Sequence, residues 1–241
     1  MQKIIASVLI VLTLSLIIAA QAPKVTVIKA GRLIDTVNGK VLENQTIIIE
    51  GDRIKAVGSN LTVPSGAEVI DLSKMTVMPG FSDSHVHITG QAGGDYYETL
   101  FRRNVMDEAV SAHIYAKRTL DAGFTTVRSL GTGPFVDIAL RNAINRGEIP
   151  GPRILAANMY IGSTGSHGDL TGFSPWLGDR TPPEMSGVAD GVEEVRKKVR
   201  YLIKYGADAI NFGATAGALP AEASAAAPHH SQPHMNPTLP Q

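Results

Sequence analysis

Segments typical of β-strands and α-helices alternate along the chain from residue 80 to residue 215. Apolar residues recur at helical spacing after the first of these strands, as Val105, Ala109 and Leu120 do, and the pattern stops at Gly123. Strands that alternate with helices of this length favour a parallel sheet, either doubly wound or a (β/α) barrel. The predicted strands are the segment ending in HVH, then FTTVRSL, RILAANMYI and ADAINFGA. Four strands are too few to close a barrel.

Residues 23–79 have a different pattern, with short β-type runs separated by turn signals. Gly51 and Asp52 form a typical two-residue hairpin turn between TIIIE and RIKAV. The spacing of the runs favours a small antiparallel meander within a β-sandwich over βαβ units. The predicted strands are KVTVIKA, QTIIIEG, RIKAVGS, AEVIDL and MTVMPG.

The two ends of the chain differ from both of these regions. Residues 1–22 contain Lys3, an apolar run and then small residues, which is the pattern of a cleaved secretory signal peptide and predicts export. A membrane-spanning helix needs about 20 apolar residues, so an uncleaved N-terminal membrane anchor is the alternative. Residues 216–241 are rich in Ala and Pro and are predicted to be a disordered tail. The predicted domains are therefore 1–22, 23–79, 80–215 and 216–241.

Composition excludes several classes of function. The formal net charge is zero, which provides no basic surface for nucleic acid or for anionic lipid. The chain has no cysteine, and this excludes disulfides and thiol catalysis. Residues 131–133 read GTG before a helix but match neither of the glycine-rich phosphate motifs, so nucleotide binding is also excluded. A small-molecule partner is expected.

His85 and His87 are the first candidates for a chemical role. Residues two apart on a strand point to the same face, so the two imidazoles lie side by side in a way that suits one metal ion. Asp83 shares that face and is expected to add a carboxylate ligand or a hydrogen bond to a ligand. The alternative is a surface strand that carries two solvated histidines, because so short a motif occurs by chance.

Seven motifs occur in an order that is more specific than any one of them. They are GRLID (31–35), EGDRIKAVG (50–58), VMPGFSDSHVH (77–87), DAGFTTVRSLG (121–131), IPGPRILAA (149–157), GSHGD (165–169) and YGADAINF (205–212). Together they resemble the metal-dependent amidohydrolases, especially the imidazolonepropionase-like and prolidase-like branch. The resemblance implies a (β/α)₈ barrel with a small β-sandwich, and the H-x-H motif on the first barrel strand.

The resemblance also implies the chemistry. In that family the histidines matching His85 and His87 bind a divalent metal, usually zinc, whose bound water has a pKa of about 7. The resulting hydroxide attacks an amide or lactam carbonyl. Position 211 matches a lysine that is carbamylated and bridges two metals, but here it is Asn211, which is neutral and offers at best one carbonyl oxygen. The family's other ligands and its catalytic aspartate come from later strands, so the metal is expected to be weakly held.

Two further residues are candidates for substrate contact. His167 follows the third predicted barrel strand, on the side where barrel active sites lie, and is expected either to touch substrate or to be a loop histidine held by glycine turns. Arg128 lies near the carboxyl end of its strand and is suited to a substrate carboxylate, although packing at the barrel mouth is an equal alternative.

The leading hypothesis is the N-terminal part of an exported amidohydrolase that hydrolyses a C–N bond. The resemblance implies a dipeptide-like amide, an N-acyl amino acid or a cyclic amide as substrate. The rival is a catalytically inactive truncated product, or a metal-binding or assembly module that needs a partner for the missing half barrel. Self-association or a second chain would then cover the open strand edges.

Overall fold

The computed structural model describes residues 23–91, 101–167, 169, 176 and 185–213. The predicted signal peptide and the predicted tail lie outside the described residues. Within the described part, no helix is both long enough and apolar enough to cross a membrane. The chain divides into two compact units between Pro79 and Gly80, and each unit has its own sheet.

The first unit is a four-stranded sheet. Its strands are β1 (Val25–Asp35), β2 (Lys40–Glu50), β3 (Arg53–Gly58) and β4 (Glu68–Val77), in the order β3-β2-β1-β4. The predicted hairpin is confirmed, because Glu50 pairs with Arg53 across a turn in which Gly51 has a φ of 61°. Val27, Ala30, Ile47 and Ile48 are the buried apolar residues of this unit.

The predicted antiparallel meander is wrong at its last strand. β4 runs parallel to β1, and the runs AEVIDL and MTVMPG form this one strand up to Val77 instead of two. A carbonyl of β4 comes so close to β1 that a Cβ on Gly31 would lie 2.0 Å from the Ser73 oxygen. Alternation of apolar residues identifies a strand but not the direction of its partner. The described residues of this unit contain a single sheet layer, and the sandwich stays a prediction.

The second unit is a parallel α/β arrangement, as predicted. Its strands have the order β5-β6-β7, and each neighbouring pair is parallel. One apolar core, which includes Ile88, Ala116, Val127 and Ile154, lies between the sheet and the first two helices. The elements are β5 (Phe81–Val86), α1 (Val105–Asp121), β6 (Phe124–Ser129), α2 (Val136–Asn145), β7 (Arg153–Ala156) and α3 (Gly191–Lys204).

The last two predicted strands are shorter than the sequence suggests. β7 ends at Ala156 instead of residue 161, because Asn158 adopts a left-handed conformation with a φ of 63° that interrupts the ladder. The predicted fourth strand is reduced to a single parallel bridge between Ile161 and Phe212. Ile161 donates to the Asn211 oxygen at 2.9 Å and accepts from the Gly213 nitrogen at 2.8 Å. Residues 211–213 therefore still lie beside the segment that follows β7.

Candidate active site

His85 and His87 lie at the carboxyl end of β5. Val86 and Ile88 turn into the core, so the two histidines project from the opposite face of the sheet and are exposed. The centroids of their rings are 5.6 Å apart and the ring planes are inclined at 63°. The two imidazoles are thus neighbours, as their spacing predicts, and both can reach one ion.

A backbone carbonyl fixes the orientation of His87. The Nδ1 atom of His87 lies 2.8 Å from the Gly131 oxygen. Because a carbonyl only accepts, Nδ1 is the nitrogen that carries the proton, and the Nε2 lone pair is left for a metal. Gly131 has a φ of 126°, and a Cβ at this position would lie 3.4 Å from the His87 ring. The sequence identified Gly131 as the end of the DAGFTTVRSLG motif and as part of a rejected phosphate loop, and its contact with His87 was missed.

The other histidine is held through its backbone. The His85 N–H donates to an Asp83 carboxylate oxygen at 2.9 Å. Among the described residues the ring nitrogens of His85 have no hydrogen-bond partner, and Asp83 makes no hydrogen bond with either imidazole. The Asp83 carboxylate therefore closes a local turn, and its role as a metal ligand or as a hydrogen-bond partner of a ligand stays a prediction.

The side chains of Asn211 and His87 both bind backbone carbonyls just after the carboxyl end of β6. Its Nδ2 donates to the Leu130 oxygen at 2.8 Å, and Leu130 directly precedes the glycine that accepts from His87. The amide oxygen of Asn211 is the atom that remains for a metal. Within the described residues no group of three or more His, Cys, Asp or Glu side chains surrounds a metal-sized site. Two imidazoles and one amide oxygen fit a single ion with open positions, and they do not fit a carbamate-bridged pair of metals.

Tyr160, which sequence reasoning did not select, connects His167 to this region. The ring of Tyr160 meets that of His167 edge to face, with the centroids 5.7 Å apart. Tyr160 also lies close to Gly131, since a Cβ on that glycine would be 3.9 Å from the Cβ of Tyr160. The Tyr160 hydroxyl is so close to Gly213 that a side chain at position 213 would collide with it. His167 itself is exposed. Tyr160 has no motif or spacing that marks it.

Arg128 lies on the same face of the sheet as the histidines. Val127 and Ser129 on either side of it are fully buried, whereas Arg128 is exposed. Its Nε donates to the Ser84 oxygen at 2.7 Å, directly before His85 on the neighbouring strand. Among the described residues, the polar contacts of Arg128 are therefore limited to one backbone hydrogen bond.

Two carboxylates, the buried Asp137 and the exposed Asp208, accept from backbone N–H groups near the end of β7. Asp137 accepts from the Asn158 nitrogen at 2.9 Å and from the Ile138 nitrogen at 2.8 Å, and burial raises the pKa of its carboxyl above the ordinary value. Asp208 accepts from the Ala156 nitrogen at 3.0 Å and pairs with Arg141 of α2. These contacts connect α2 and residue 208 to the end of β7.

Comparison with known proteins agrees with this arrangement. The model of the amidohydrolase family matches residues 76–235. The ochratoxinase of Aspergillus niger is 32% identical over 215 residues, which is 81% of this chain and 43% of that protein. A dihydroorotase of Trichlorobacter lovleyi is 30% identical over 148 residues, covering 59% of this chain and 31% of that protein.

A solved structure extends the similarity to the fold. A Xaa-Pro dipeptidase with methionine bound in its active site has a TM-score of 0.79 and 36% identity. The match covers 88% of this chain and 52% of that one. This chain thus spans about half the length of the relatives it matches.

Proposed function

This chain belongs to the amidohydrolase family, and we propose that it hydrolyses a C–N bond in a small amide or dipeptide-like substrate with one divalent metal ion, zinc for preference. The observation that carries the proposal is the hydrogen bond from His87 Nδ1 to the Gly131 oxygen, with the His85 ring beside it. A histidine tethered at one ring nitrogen is prepared to bind metal through the other. The export of the protein by residues 1–22 belongs to the same proposal, and N-terminal sequencing of secreted protein tests it.

His85 and His87 would hold the ion through imidazole nitrogens, and Asn211 would add its amide oxygen. Such an ion, when bound, lowers the pKa of its water to about 7 and supplies hydroxide at neutral pH. All three protein ligands are neutral, so the bound ion keeps its full charge and polarises a substrate carbonyl strongly. His167, held against Tyr160, would contact the substrate from the loop that follows β7.

Zinc binding by the full chain tests the metal site directly. Isothermal titration should give about one zinc per chain, and His85→Ala and His87→Ala should each weaken binding at least about tenfold by removing a ligand. His113→Ala is the matched control, because His113 is an exposed histidine on α1 whose Nδ1 bonds only to its own helix, at the Val110 oxygen. Equal zinc affinity in all four proteins would contradict the proposal.

A hydrolysis assay tests the reaction itself. The zinc-loaded chain is incubated with a panel of N-acyl amino acids, dipeptides and cyclic amides, and the release of amine is measured. The His87→Ala protein should lose this activity while His113→Ala retains it. Activity that survives in both histidine-ligand variants would assign the reaction to a contaminant or to other residues.

A second candidate function is assembly with a partner, and one surface favours it. Met106, Val110 and Ile114 recur on successive turns of α1 and are exposed by 69%, 74% and 44% within the described structure. We call these three residues the outer stripe of α1. Contiguous apolar side chains on a helix are typical of protein interfaces. A chain that self-associates and binds no zinc would favour this candidate over the enzyme.

A further inference from the structure

The face of the sheet that carries the histidines also carries two arginines. Ile154 and Ala156 of β7 are buried, so Leu155 projects to the opposite face, where it pairs in register with Arg128. Arg153 lies one step back along the same face, beside Thr126. Arg128 therefore lies on the strand next to the one that holds His85 and His87, and Arg153 and Leu155 lie on the same face one strand further away.

Within the described part of the chain, the guanidinium of Arg128 is anchored at one nitrogen and unpaired at the others. Its bond from Nε to the Ser84 oxygen is its only hydrogen bond or ion pair among the described residues. Asp83 lies two residues before His85, but its carboxylate accepts from the His85 backbone and makes no ion pair with Arg128 in the described structure. Both terminal nitrogens of Arg128 are thus left with the fork geometry that binds a carboxylate.

Once a metal is bound, the electrostatics of the face that carries His85, His87 and Arg128 favour an anionic ligand. Neutral imidazole and amide ligands leave the two positive charges of the ion uncompensated, and Arg128 and Arg153 add to them. Asp83 is the one acidic residue of strands β5, β6 and β7, and its carboxylate already accepts from the His85 backbone. A ligand that carries a carboxylate would relieve the repulsion between metal and guanidinium, whereas a neutral amide would not.

We infer that Arg128 is a carboxylate receptor, and that the substrates of the proposed reaction are amides carrying a free carboxylate, such as N-acyl amino acids. This inference rests on the proposed function, because the metal ligands beside Arg128 define where the substrate lies. It also predicts that metal and carboxylate ligand strengthen each other's binding. Arg128 is a binding residue and takes no part in bond cleavage.

Two ligands that differ in one group provide the test. N-acetylglycine has the carboxylate, and N-acetylglycinamide replaces it with a neutral carboxamide of nearly the same size. Titration calorimetry on the full chain with one equivalent of zinc should show that N-acetylglycine binds about tenfold more tightly. N-acetylglycine should raise the affinity for zinc by the same factor that zinc raises the affinity for N-acetylglycine.

Substitutions of Arg128 separate its role from that of the metal site. Arg128→Met should abolish the preference for N-acetylglycine and leave zinc affinity without ligand unchanged or higher, because a neighbouring cation is removed. Arg128→Lys should keep part of the preference, since it retains the charge and loses the fork. Arg146→Met is the control, because Arg146 is an exposed arginine at the end of α2 that pairs with Glu148.

The outcomes distinguish the two proposals. Zinc binding that needs both histidines, combined with an equal preference for N-acetylglycine in the wild type and in Arg128→Met, overturns the carboxylate receptor and leaves the proposed function standing. Zinc binding that is indifferent to both histidines overturns the proposed function. An unchanged circular dichroism spectrum and ligand-free zinc affinity of Arg128→Met exclude loss of folding as the cause of a lost preference.

Discussion

At the scale of single residues, one backbone carbonyl determines the chemistry of His87. The Gly131 oxygen accepts from Nδ1 at 2.8 Å and so leaves Nε2 free. Without this acceptor the ring could rotate or change tautomer, and the lone pair of Nε2 would no longer be held in one direction. The glycine that supplies the carbonyl has a φ of 126°, which other residues rarely adopt. The position of the acceptor therefore depends on a residue that has no side chain of its own.

Gly131→Ala should accordingly weaken zinc binding without removing a ligand. The new Cβ would be strained at this φ and would lie 3.4 Å from the His87 ring, so either the loop or the ring must shift. We expect a loss of about 10- to 100-fold in zinc affinity, the usual effect of disturbing the support of a metal ligand. Titration calorimetry measures it.

Gly147→Ala is the matched control for this substitution. Gly147 also has a positive φ, 72°, but a Cβ there would meet nothing within 4 Å. It should cost about 1 kcal/mol of stability through backbone strain and leave zinc affinity unchanged. Equal zinc affinities in the two variants would show that Gly131 does not orient His87.

At the scale of secondary-structure elements, Asp137 joins the start of α2 to the end of β7. Both of its carboxylate oxygens accept backbone N–H groups, those of Ile138 and Asn158, and the side chain is fully buried. Asp137→Asn turns one acceptor into a donor that faces an N–H group. We expect a loss of about 1–3 kcal/mol in the free energy of unfolding at neutral pH, measured by urea titration.

The raised pKa of Asp137 determines how the difference in unfolding free energy between the wild type and Asp137→Asn depends on pH. Burial raises the pKa of Asp137 above 3.8, so the folded chain binds its proton more readily than the unfolded chain does. Its contribution to stability is full below pH 3.8 and is lost as the pH rises through the raised pKa. The advantage of the wild type over Asp137→Asn should therefore shrink between about pH 4 and neutral pH. A difference that grows with pH would contradict this assignment.

The N-terminal cap of α1 allows a simple test of how side-chain capping stabilises this helix. The Asn104 side chain accepts from the Met106 and Asp107 nitrogens, while Asp107 accepts from the Asn104 backbone. Asn104→Ala should cost about 1 kcal/mol and Asn104→Asp almost nothing, because aspartate caps equally well. Thermal unfolding followed by circular dichroism compares them, and equal losses would mean that this cap does not stabilise the helix.

The boundaries of helices and strands could be predicted where a local sequence signal marks them. Prediction failed where tertiary contacts determine the boundary or the direction of a strand. The helix end at Gly123 is confirmed, because glycine with a positive φ is a local stop signal. The direction of β4 and the early end of β7 could not be predicted, since parallel pairing and the left-handed Asn158 depend on residues distant in sequence.

The same division applies to the candidate site. The neighbouring rings of His85 and His87 follow from strand geometry alone. The hydrogen bonds of His87 to Gly131 and of Asn211 to Leu130 span 44 and 81 residues along the chain. Sequence spacing does not predict contacts between residues that are so far apart. Sequence therefore identified ligand candidates but neither their tautomer nor their supports.

At the scale of the whole molecule, the outer stripe of α1 predicts self-association. An exposed apolar stripe on successive helical turns is larger than the scattered apolar residues usual on monomers. The sedimentation coefficient of the chain should rise with concentration in the micromolar range. Val110→Glu should suppress this rise, because it places a charge in the centre of the stripe, and glutamate forms helix more readily than valine.

Val37→Glu makes the same chemical change on an isolated residue. Val37 is 90% exposed in the turn between β1 and β2 of the first unit, whose described elements are all strands. If apolar exposure in general caused association, the two variants would behave alike. If the stripe is the interface, Val37→Glu should associate as the wild type does and Val110→Glu should remain monomeric. A wild type that sediments as a monomer at every concentration would show instead that the stripe has no partner in a second copy, and would favour the hydrolase over the assembly module.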